Sequence, residues 1–143
     1  MGASVGGYWP GITSEQLENE PGFFNDCKGW GDWMAERYNH PTLIALHKEL
    51  GVEALLSHTT QGMKASKVAW VSPEQLRAAA TRLRELVLAK DSRVQPMLEV
   101  YAVNASDLEP VDQEFAQDLL DVAAIAEFAS ENGVSKMTLE VNW

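Results

Sequence analysis

One cysteine, three histidines and five tryptophans are the side chains of this 143-residue chain whose types invite chemistry. A nucleophilic Cys27 needs an imidazole beside it to lower its thiolate pKa, and His40 or His47 is the base such a site would use. The same side chain serves as a small buried hydrophobe, the common use of a single cysteine. His40 and His47 bracket one expected helix, seven residues apart. Seven residues rise about 10.5 Å, too far for both to ligate one ion. No His-Glu-x-x-His, paired cysteines or calcium-loop pattern occurs, so no metal and no cofactor is expected. Gly6-Gly7 belongs to neither a phosphate loop nor a dinucleotide fingerprint.

Trp30 and Trp33 stand three apart beside Gly29 and Gly31. Two large rings next to bare backbone form either a flat aromatic wall for a ligand or partner, or a core contact that the glycines bring close. Glu114, Asp118 and Asp121 follow i, i+4, i+7 spacing, which puts three carboxylates on one helix face. Acid–base work would need them buried with separated pKa values. Their offset from the apolar stripe Val111, Phe115, Leu119 and Val122 predicts a solvated acidic ridge instead.

The charge distribution gives that ridge a use. The chain carries 21 acidic and 11 basic side chains, net −10. Residues 1–63 hold 3 bases and 8 acids, and residues 64–93 hold 7 bases and 3 acids. Residues 94–135 hold nine acids and no Lys or Arg. Such a field repels phosphate backbones and anionic lipid, so nucleic acid and membrane are not expected partners. A basic protein partner is. The alternative is that segments 64–93 and 94–135 neutralise each other, or that the acids keep the chain soluble. The first residues have no basic region and no apolar core of a secretory leader, and a lone cysteine makes no internal disulfide. A cytoplasmic location is therefore expected.

The elements that position these residues follow from caps and periodicity. Gly2 to Trp9 reads as a strand ending at Pro10-Gly11. Thr13 with Gln16 three later has capping-box spacing and opens a short helix that Pro21-Gly22 stops. Residues 23–31 are open, and a helix is expected from near Asp32. Pro41 begins a helix with Leu43, Leu46, His47 and Leu50 on one face, closed by Gly51. Residues 52–58 are helix or strand, Thr59 to Ala65 loop, and Lys67 to Val71 a strand. Ser72-Pro73-Glu74-Gln75 caps a helix running to about Lys90, its buried face marked by Leu76, Ala79, Ala80, Leu83 and Val87. Residues 94–105 fit a helix by spacing and a strand by their β-branched content; helix is the preferred reading. Pro110 to Asn132 is a long helix ended by Gly133, and Met137, Leu139 and Val141 alternate as a final strand.

Five or six helices with two or three short strands give a single α+β domain over 1–143, mostly helical, its small sheet built from the N-terminal, 67–71 and C-terminal strands. The strand to Tyr8 followed by Ile12-Thr13-Ser14-Glu15-Gln16-Leu17, the junction Trp70-Val71-Ser72-Pro73-Glu74-Gln75-Leu76, and a late helix passing through Gly133 into a strand resemble the YfbM-like family of small bacterial proteins. That resemblance covers about a third of the chain; it implies an α+β fold and no activity. The function expected is a non-catalytic module that binds a basic protein partner through its acidic surface. The alternative is a small enzyme with a Cys27/His site or a pocket walled by Trp30 and Trp33. The oligomeric state is open.

Overall fold

The structure, a computed structural model, describes residues 3–25, 41–60, 67–103 and 110–142. In chain order these form β1 (Ala3–Tyr8), α1 (Ser14–Asn19), β2 (Phe23–Asn25), α2 (Pro41–Glu49), a 3-10 turn (Glu53–Leu56), β3 (His58–Thr60), α3 (Pro73–Leu88), a second 3-10 turn (Ser92–Val94), α4 (Gln95–Ala102), α5 (Val111–Glu131) and β4 (Thr138–Asn142). The fold is α+β, as expected, and its sheet contains both terminal strands.

The sheet order is β2-β1-β4-β3. β1 runs antiparallel to β2 and to β4, while β3 lies parallel to β4. A parallel pair needs a crossover, and the whole stretch from α3 to α5 supplies it. Both anticipated capping boxes form: Thr13 and Ser72 accept from the backbone of Gln16 and Gln75, whose side chains reach back to the cap nitrogens. Gly51 and Gly133 end α2 and α5 with φ of 75° and 73°. In that left-handed region a side chain is strained and glycine is not.

α3 and α5 are the most extensively packed pair of elements. Leu76, Ala79, Ala80, Leu83 and Val87 of α3 join Phe115, Leu119, Val122, Ile125, Ala126 and Ala129 of α5 in one core with Val5, Leu139 and Val141 of the sheet and Trp9 just after β1. Gly7 sets the sheet-to-helix spacing, since a Cβ there would lie 2.9 Å from Ile125 Cγ2.

Two expectations about strands are corrected. Residues 67–71 are not a strand: Val71 alone bridges Met137, through reciprocal bonds of 3.0 and 2.7 Å. β4 is already paired on one side by β1 and on the other by β3, so only Met137, just before β4, is left for Val71. His58–Thr60, whose last two residues were expected to be loop, take the place beside β4. β2 resolves the open assignment at Phe23–Asn25 as strand. The helix expected from near Asp32 lies outside the described residues. Helix was the right choice between the two readings of 94–105, over Gln95–Ala102.

Candidate functional site

Cys27, Trp30, Trp33 and His40 lie outside the described residues, so the candidate thiol site and the aromatic wall have no described geometry. His47 is fully buried on α2, where Nδ1 donates to the Leu43 carbonyl at 2.7 Å. His58 is buried in β3. Among the described residues no three His, Cys, Asp or Glu side chains group as metal ligands. Gly2-Ala3-Ser4-Val5-Gly6 has the spacing of a nucleophile elbow. That motif needs its serine in a sharp strand-to-helix turn, however, and Ser4 sits inside β1, paired with Phe24 and Asn142.

The acidic ridge of α5 is corrected. Asp118 is 7% exposed, and Oδ2 accepts a 2.6 Å hydrogen bond from Tyr101 Oη of α4. Glu114 and Asp121 are half-buried on either side of it. Burial pushes the Asp121 carboxyl above its ordinary range, opposed by a bond from Gln117. The heptad arithmetic of the helix explains the turn inward: 115, 118, 122, 125 and 129 fall on one face, and all five are buried. Asp118 occupies a core position of that stripe. The alternative stripe through Leu119 is buried too, so the apolar face is broad enough to take in the carboxylate.

That contact builds the candidate site. Tyr101 is held edge-on to Phe115, ring centroids 4.8 Å apart, while its hydroxyl is anchored on Asp118. α4 is thereby seated across the first half of α5, and Pro96 in its first turn lets it start directly from the Ser92–Val94 turn. A groove of about 440 Å³ opens where the end of α3, the turn after it, α4 and the start of α5 meet. Val87, Val94, Leu98, Ala102 and Val111 give it an apolar lining; Lys90, Asp91, Ser92, Gln95, Glu99 and Asp112 form its polar margin. Asp91 is engaged by Arg93 through bonds of 3.1 and 2.8 Å to its carboxylate and one of 2.9 Å from the Arg93 backbone. Side-chain and then backbone bonds from Arg93 pull the Asp91 carboxyl down to about 2. With that pair matched, Glu99 and Asp112 set the excess charge of the margin against Lys90.

Lys90 closes α3 with φ 57°, its N–H bonding to the Val87 carbonyl and that of Asp91 to Leu86. A lysine in a position glycine usually takes is strained, and here the strained residue stands at the groove margin. Leu88 and Val103 are large apolar side chains left exposed at the ends of α3 and α4. A larger depression of about 560 Å³ lies along α3, but Glu74, Arg77, Ala78, Thr81, Arg82 and Glu85 of that one helix bound it, without groups converging from other elements. No motif in the sequence marks the groove, because it exists only once residues 87–102 fold back on the start of α5 at Val111 and Asp112. Arg84 Nε reaches the Ala116 carbonyl at 3.2 Å, so the basic stretch faces the acidic helix there through a backbone oxygen rather than a carboxylate.

Comparison with known proteins returns no matching family model, no matching curated protein and no matching solved structure. No helix among the described residues is long and apolar enough to cross a membrane.

Proposed function

We propose that this protein is a non-catalytic binding module of the cytoplasm that seats an apolar side chain of a basic protein partner in the α3–α4–α5 groove. The observation that carries the reading is the groove itself: an apolar lining with Glu99 and Asp112 on its margin. Apolar anchors flanked by complementary charge are how interfaces combine affinity with selection among partners. The surrounding sequence supports a basic partner, since residues 94–135 contain nine acids and no Lys or Arg. Glu114 and Asp121, half-buried beside Asp118, add to the field but not to the contact surface. A YfbM-like kinship would place the protein in bacteria and contribute a fold without chemistry.

The experiment compares two baits in lysate of the native cell, wild type and Ala102→Trp. Ala102 is exposed, so the indole fills the groove at little cost to stability. The reading expects at least one basic polypeptide on the wild-type bait that is lost from Ala102→Trp and eluted by salt. Identical captures on the two baits overturn it.

A further inference from the structure

The segment joining β1 to β2 is held to the body by few contacts. α1 has no buried residue, and Leu17 in its middle is half exposed. Among the described residues its ties are the partly buried Ile12, a 3.2 Å bond from Trp9 Nε1 to Gln16, the close approach of Gly22 to the Val5 carbonyl, and Glu20. A segment with so little burial belongs to the low-stability end of a fold, where one interaction decides whether it is seated.

Glu20 is that interaction, and it is built in an unusual way. Its carboxylate lies so close over Gly6 that a Cβ there would come within 2.7 Å of Oε1. The Gly7 N–H is near enough to favour the charged form of this carboxylate. β2 pairs with β1 only through Ala3, Ser4 and Val5, so the Glu20 side chain continues the sheet edge where the strand stops. Oε2 is buried and has no hydrogen-bond partner among the described residues. Directly across from Gly6 on β4 stands Glu140, tied to Asn142 Nδ2 at 3.0 Å. Both carboxylates line one cleft of about 300 Å³. β1 contributes Ser4 and Gly6 to this cleft and β2 contributes Phe23, so among the described residues Glu140 is the one charged group facing Glu20 and no base lines it.

We infer that Glu20 is a proton-operated latch: the α1 segment is seated on the sheet when the carboxyl carries its proton and loosens when the proton leaves. Burial raises the Glu20 pKa, the Gly7 N–H opposes the rise, and repulsion from Glu140 adds to it. The sign follows from linkage. A carboxyl with a raised folded pKa contributes attachment that is full below its unfolded value and is lost as pH rises through the folded one. Loosening above that point opens the cleft and frees α1 and β2 without disturbing the α3–α5 core.

The test is a carbon-detected titration of the Glu20 carboxyl in the full chain, with hydrogen exchange at the Gly7 amide corrected for the intrinsic rate. The latch predicts a Glu20 midpoint above the ordinary glutamate range, lowered by Glu140→Gln. It also predicts that Gly7 protection falls several-fold as pH rises through that midpoint. Glu20→Gln, which keeps an acceptor for Gly7 and has no charge, should hold protection constant with pH. A Glu20 midpoint in the ordinary range, or wild-type Gly7 protection that does not change with pH, overturns the inference. These wild-type measurements decide it even if a variant does not fold.

Discussion

Tyr101 Oη donates to Asp118 Oδ2 at 2.6 Å inside the protein, joining the last turn of α4 to the middle of α5. A hydroxyl-to-carboxylate bond of this length is charge-assisted and about twice as strong as a neutral one. It also sets the wall of the groove, because α4 is placed by where Tyr101 sits. Tyr101→Phe keeps the ring against Phe115 and removes the donor. The expected loss is about 1.5–3 kcal/mol of unfolding free energy, measured by urea titration. A change within experimental error would mean that Asp118 is held without Tyr101.

Gly7 makes a different kind of contact. An alanine methyl there would meet Ile125 Cγ2 at 2.9 Å and the Trp9 ring at 3.0 Å. Overpacking of this type costs about 1–3 kcal/mol, so Gly7→Ala should be destabilising by that much. Ile125→Ala removes the opposing methyl and leaves a cavity of its own. The double variant should therefore be less destabilised than the two losses added together. Strict additivity would show that the sheet and α5 move apart freely at this point.

Asp91 provides the acid-side signature. Arg93 holds its carboxyl down to about 2, against an ordinary value of 3.8. A depressed folded pKa contributes stability that is complete above the unfolded value and disappears as pH falls through the folded one. The window thus runs from about 4 down to about 2. Carboxyl titration by NMR should give a wild-type midpoint near about 2, and Arg93→Ala should return it toward 3.8. A wild-type midpoint already at 3.8 would show that the pair is not formed in solution.

What could be read from the chain divides along locality. Ser72 with Gln75 and Thr13 with Gln16 announce helix starts because cap and partner are three residues apart, and Gly51 and Gly133 announce helix ends by the left-handed φ that glycine takes without strain. The alternation of Met137, Leu139 and Val141 was equally legible. His58–Thr60 and Phe23–Asn25 were not, since each is a three-residue strand whose existence depends on a partner far along the chain. Val68, Trp70 and Val71 have strand-forming side chains but no free edge of β4 to join. Asp118 escapes the sequence reading because the stripe Val111, Phe115, Leu119 and Val122 leaves it to one side, whereas its spacing from Phe115 and Val122 puts it on a second buried row; Tyr101, which holds it there, lies on another helix. The groove was invisible for the same reason.

Recognition of a basic partner by the groove, as proposed, runs through Glu99 and Asp112. Its most direct test is the association rate constant of the captured partner, by stopped flow, for wild type and the double variant Glu99→Lys, Asp112→Lys, at low salt and near 0.15 M. Electrostatic steering acts mainly on association and is screened over about 8 Å at the higher salt. The double variant should associate about ten-fold or more slowly at low salt, and salt should slow the wild type toward it. Equal rates for the two proteins at low salt, or a wild-type rate indifferent to salt, would contradict it.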